Sequence, residues 1–130
     1  MVLATAHVLT ALTLGFLVSK RWPLRKRSYA FGAFGALVPD FDFLPALLLQ
    51  NMEIHRAYLN HWSIPFAIAG LGSLLFPKYR EEIFLFSLGY LSHIILDLLQ
   101  FDLLTMGLID GVLVTVVVFG VLVKYWKEEN

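Results

Sequence analysis

Five apolar runs, separated by polar or charged stretches, organise this 130-residue chain. The first, Val2 to Val18, is interrupted only by Thr5, His7, Thr10 and Thr13. The second extends from Tyr29 to about Gln50, and the third opens at His61 or Trp62 and closes at Phe76. Ile83 to about Leu99 and Met106 to Val123 are the fourth and fifth. Apolar runs near the length that spans a bilayer as helix predict a polytopic, all-α membrane bundle. We expect one domain over residues 1–130, with about five transmembrane or partly re-entrant helices. No basic segment precedes the first run, so a cleaved signal peptide is not expected.

The second run breaks its own pattern. Within it, Pro39-Asp40-Phe41-Asp42 sets two carboxylates between Pro39 and Pro45. An ionised Asp near the bilayer centre costs at least about 2.5–3.5 kcal/mol on insertion scales, so a partner is expected. Read as helix, Asp40 and Asp42 point about 200° apart and do not share one. Pro39 also removes a backbone donor and disfavours helix in the residue before it. The second run is therefore expected to bend or re-enter. A plainer alternative ends the run at Val38 and leaves both acids in a solvated loop.

Composition agrees with a membrane protein: 58% of the chain is apolar and 15% charged, against about 45–50% and 25% in soluble domains. The formal net charge is zero, which gives no reason to expect a nucleic-acid partner. Without cysteine there is no disulfide, no thiolate metal site and no thiol nucleophile, so any metal must be held by nitrogen and oxygen.

The basic residues set the expected orientation. Lys20, Arg21, Arg25, Lys26, Arg27, Lys78, Arg80, Lys124 and Lys127 fall in the first loop, the third loop and the C-terminal tail, and Arg56 alone falls on the other side. Lys and Arg collect on the cytoplasmic face, so the N-terminus is expected outside and the C-terminus inside. Trp22, Tyr79, Tyr125 and Trp126 fall at the inner interface, where aromatic residues anchor spans. Counted outward from the inner boundary, His7, Asp40 and His93 then share a depth of roughly 15–17 Å.

His93 and Asp97 are four residues apart, which stacks both side chains on one helix face, and Gly89 one turn earlier admits a close neighbour. This pair reads either as two ligands, or a ligand with its supporting carboxylate, or as a buried hydrogen bond tying helices together. His7 by itself fits a polar bundle contact as well as a ligand. His55 and His61 lie in or beside the outer loop with Arg56, whose guanidinium suits a phosphate or pairs with Glu53. Asp110 opens the fifth run and is assigned to its helix terminus. Together His7, Asp40, Asp42, His55, His61, His93 and Asp97 supply seven nitrogen or oxygen donors. That set suits one or two divalent ions, zinc by default, with manganese or iron also compatible.

The same residues carry a family likeness. The chain resembles the small membrane-bound metal-dependent hydrolases related to the bacterial inner-membrane protein YdjM. In that family an N-terminal His is followed by Pro-Asp-x-Asp, by His-Arg with a nearby His-Ser, and by His-x-x-x-Asp. Here these fall on His7, Pro39-Asp40-Phe41-Asp42, His55-Arg56, His61, and His93 with Asp97. The segment from His55 to Ser63 is one residue longer than the family pattern and places Trp62 before the serine. More distantly the pattern is similar to zinc-dependent phospholipase C. The resemblance implies a metal-dependent hydrolase of the inner membrane.

The expected function is hydrolysis of a phosphoester, such as a lipid headgroup, on the extracytoplasmic side. Asp42 and Arg56 are the expected catalytic residues. An ion or proton pathway through the intramembrane His and Asp residues is an alternative, although the inner halves of the runs lack ionisable residues. A haem-binding or purely structural bundle, with His7 and His93 as axial ligands, is another.

Overall fold

The computed structural model describes residues 4–51, 59, 61–98, 116–121, 123, 124 and 127, and all regular structure among them is helical. Helix α1 spans Ala4–Ser19 and α2 Lys26–Gly35, followed by a 3-10 turn over Val38–Asp42 and the short α3, Phe43–Leu48. After the next connection come α4 (Ser63–Ala67), a π-helical turn (Ile68–Gly72) and α5 (Ser73–Leu75). Every junction residue there is right-handed, so 63–75 is one helical run. A 3-10 turn at Pro77–Tyr79 leads into α6, Arg80–Leu98. This last helix starts three residues before the expected Ile83 and takes Arg80, Glu81 and Glu82 out of the loop.

Pro39 shapes the second run as its chemistry requires. Its nitrogen carries no hydrogen, so α2 stops at Gly35 and the chain tightens: Leu37 N–H bonds to Phe34 O and Asp40 N–H to Leu37 O, both i to i−3. The turn runs on into α3 with Asp42 still right-handed. At the far end, Gln50 takes a positive φ of 52° and Asn51 N–H reaches back to Ala46 O, which closes α3 in the manner of a left-handed helix cap. The second run is thus bent but helical through both aspartates, which answers the solvated-loop alternative.

The tightest packing is between α2 and α6. A Cβ built on Gly35 would overlap the Phe86 carbonyl, and one on Gly89 would overlap the Gly32 carbonyl and lie 3.1 Å from Ala36 N. Small residues on both sides let two backbones touch, as membrane helices commonly do. Arg27 pairs with Glu82 at one end and Ala36 with His93 at the other, so the two helices run parallel. The α1 helix crosses antiparallel, since His7 meets Asp97 while Gly15 faces Leu85 and Tyr29. Ala4, Val8, Ala33, Leu37 and Val118 form the apolar core beside this contact, with Leu12 and Phe34 against it.

These directions bring the first and third loops to one end. Glu81 Oε1 accepts the Arg25 N–H and the Ser28 hydroxyl, joining the N-termini of α2 and α6. Two of the expected basic loops therefore share a side, as the five-run alternation requires.

Lys26–Leu48, at 23 residues, is long and apolar enough to cross a membrane, about 34 Å at the helical rise. Ala4–Ser19 and Ser63–Leu75 are apolar but shorter. Most of the fifth run and of the outer loop, with His55, Arg56 and Asp110, lies outside the described residues, while 116–121 within that run are helical. The all-helical expectation is met among the described residues, and crossing length is met by one of the expected spans.

Candidate metal centre

The break at Pro39 creates the site's first anchor. In a continuous α-helix the Ala36 carbonyl would accept from Asp40 N–H; in a 3-10 turn it would accept from residue 39, which is proline and has none. Asp40 N–H is committed to Leu37 O. The Ala36 carbonyl instead receives His93 Nδ1, 2.6 Å away across the α2–α6 contact. A carbonyl only accepts, so Nδ1 carries the proton, and the tautomer of a neutral His93 leaves its Nε2 lone pair facing inward.

That Nε2 meets carboxylates. It lies 3.2 Å from Asp97 Oδ2 and 3.4 Å from Asp40 Oδ1. On the other side of the cluster, His7 Nε2 lies 3.5 Å from Asp97 Oδ1. The two imidazole rings stack with centroids 3.7 Å apart and planes 16° from parallel. Donor atoms of His7, Asp40 and His93 all fall within 4.8 Å of one another, and Asp97 spans the two histidines. Three segments distant in sequence thus converge, each placed by a feature already described: α1 by its antiparallel crossing, the turn by Pro39, and α6 by Gly89.

The cluster leaves buried histidine nitrogens, both of His7 and Nε2 of His93, without a hydrogen bond among the described residues, a rare condition for buried polar atoms. Two carboxylates in a low-dielectric setting call for two positive charges. Protonating both rings would supply them but would stack two cations face to face, a repulsion of about 4 kcal/mol at an effective dielectric of 20 and 4 Å. One divalent ion balances the charge with both rings neutral. The residues fit such an ion: two imidazoles and two carboxylates are a usual nitrogen–oxygen set for zinc, and manganese or iron share it.

Of the seven expected donors, four come together. Asp42 is buried and is not in the grouped donor set, in keeping with the divergence expected of residues two apart on a helical turn. His61 is exposed, its Nδ1 2.7 Å from Ser63 Oγ, and it too stands outside that set. His55 and Arg56 lie outside the described residues.

Two contacts were missed from sequence. The Ala36 carbonyl is one, although Pro39 three residues on was its signal. The other is the ion pair of Arg27 and Glu82, which are 2% and 1% exposed, with the Arg27 guanidinium also over the Tyr79 ring. In sequence, both residues look like solvated loop charges.

Searches of curated proteins and of solved structures found no match. The sequence profile described as the YdjM inner membrane protein matches residues 1–108 and so takes in every residue of the cluster. A match over that much of the chain places this protein in the YdjM inner membrane protein family.

Proposed function

We propose that the chain is a membrane-bound metal-dependent hydrolase acting on a phosphoester, with a single divalent ion, zinc in the first instance, held by His7, Asp40, His93 and Asp97. The observation that carries this reading is the uneven closure of the cluster. The side chains of His7 and His93 are fully buried and that of Asp97 is 3% exposed, whereas that of Asp40 is 24% exposed. Structural zinc sites are closed on all sides; catalytic ones keep an open position.

A divalent ion in such a place supplies an activated water and polarises a phosphoryl group. The chain supplies the rest. Ala36 fixes the His93 tautomer so that Nε2 donates its lone pair. Asp97 faces Nε2 of both histidines and would share the ion with them. Asp42, buried two residues from Asp40, is the candidate to take a proton from the attacking water. His55, Arg56 and His61 belong to the connection before α4 and at its start, where Arg56 would bind the phosphate. Nine of ten basic residues fall on the opposite side of the expected topology, which favours an extracytoplasmic opening.

The test is turnover of phosphodiesters, one lipid and one water-soluble, by purified zinc-replete protein in detergent. Hydrolysis lost in Asp42→Asn with zinc retained supports the reading. Zinc-replete wild-type protein that cleaves neither substrate rejects it.

A further inference from the structure

The end of the bundle where α2 and α6 begin is built from two loops held together by their own acids. Residues 19–28 and 76–82 contain seven basic residues and two acids, Glu81 and Glu82. Both acids are engaged within the structure. Glu81 Oε1 accepts the Arg25 N–H and the Ser28 hydroxyl, and the buried Glu82 pairs with Arg27 and stands 3.6 Å from Arg25 Nη1. None of Lys20, Arg21, Lys26, Lys78 and Arg80, all exposed, is paired with a carboxylate among the described residues. Arg80 Nε donates to the Ser73 carbonyl, which leaves its charge uncompensated. Aromatic surface lies among these cations. Lys20 Nζ is 5.4 Å from the centre of the Phe16 ring and Lys78 Nζ 5.6 Å from that of Tyr79. Phe16, Trp22 and Phe76 are each more than half exposed.

We infer that this end is a binding surface for an anionic phospholipid, with the headgroup phosphate against the five uncompensated cations and the acyl chains against Phe16, Trp22 and Phe76. Lys and Arg clustered at the end of spanning helices attract anionic headgroups. Here the cluster is a fixed surface rather than a loose tail, because the Arg27–Glu82 pair and Glu81 lock one loop to the other. The excess positive charge selects an anion, and the apolar rings beside it select an amphiphile over a free phosphate. The surface is separate from the metal centre: Glu82 precedes His93 by eleven residues of α6, about 16 Å along the helix. It therefore stands whether or not the hydrolase reading does.

Fluorescence quenching tests this in the full chain, purified in a neutral detergent. The chain has three tryptophans, so Trp62→Phe with Trp126→Phe leaves Trp22, beside Lys20 and Arg21, as the sole reporter. Phosphatidylglycerol and phosphatidylcholine carrying the same brominated acyl chains are titrated in separately, and quenching of Trp22 gives their relative affinity. Phosphatidylglycerol should bind the more tightly, with a preference that shrinks as salt is raised. Lys26→Gln and Lys78→Gln, one in each loop and both exposed, should each lower that preference about fivefold, the contribution of one cation at an anionic surface. Equal quenching by the two lipids, or a preference unchanged in the Lys26→Gln, Lys78→Gln double variant, would overturn the proposal. Glycerol phosphate that displaces the brominated lipid as effectively as unlabelled phosphatidylglycerol would overturn the lipid as occupant and leave a free-phosphate site.

Discussion

Gly89→Ala adds one methyl group 4 residues from His93 and should disable the metal centre from a distance. The added Cβ would sit inside the Gly32 carbonyl group and 3.1 Å from Ala36 N. Both neighbours are backbone, so no side chain can swing aside. Restoring an ordinary contact requires α2 and α6 to part by about 1.5 Å. The same movement stretches the 2.6 Å bond from His93 Nδ1 to Ala36 O beyond hydrogen-bonding range and draws His93 away from Asp40, since the two lie on opposite sides of that contact. Overpacking of this kind costs about 1–3 kcal/mol, and the lost bond adds about 1 kcal/mol. Better helix propensity of alanine returns up to about 1 kcal/mol. The net destabilisation is about 1–3 kcal/mol, and zinc affinity should fall by about 10–100-fold, as when a ligand loses its orienting partner. The assay is competition with a chromogenic chelator, alongside thermal unfolding in the same detergent. Gly70→Ala is the control, because nothing lies within 4 Å of its built Cβ; it should be neutral or slightly stabilising. Wild-type zinc affinity in Gly89→Ala would refute the claim that the helix contact sets the ligand geometry.

Two other expectations concern the opposite end of the bundle. Arg27→Met takes from the buried Glu82 its nearest basic partner and leaves Arg25 at 3.6 Å, so it should lower stability by up to about 3–5 kcal/mol, whereas the Arg27→Met, Glu82→Met double variant should recover part of the loss; a single variant no less stable than the double would contradict the buried pair. Topology follows from the basic loops joined there by Glu81 and Glu82. A C-terminal fluorescent fusion should light the cytoplasm, and an alkaline phosphatase fusion after Asn60 should be active. A dark C-terminal fusion with an active phosphatase at Lys127 would invert the orientation.

The four clustered side chains were legible because acids and histidines within apolar runs are costly enough to stand out against that background. His7, Asp40 and His93 share a depth by counting alone, and Asp97 is tied to His93 by the helical period. Gly89 was recognisable as a place for a close neighbour, and that neighbour proved to be the backbone of α2. Asp42 shows where such reasoning stops: its divergence from Asp40 was foreseeable, but its burial depends on tertiary packing. Arg27 and Glu82 escaped for a related reason. Charges at a span boundary look alike in sequence whether they face water or each other, and only the parallel course of α2 and α6 joins them. The Ala36 carbonyl was hidden because backbone acceptors carry no sequence signature of their own.

The central claim is that His7, Asp40, His93 and Asp97 hold one divalent ion. Elemental analysis of the protein purified in detergent tests it directly, with wild type and a His93→Ala, Asp97→Ala double variant compared after identical zinc loading and desalting. The account predicts about one ion per wild-type chain, the capacity of a four-ligand set, and at least about a tenfold loss of affinity in the variant. A metal-free wild type, or full occupancy in the double variant, would contradict it.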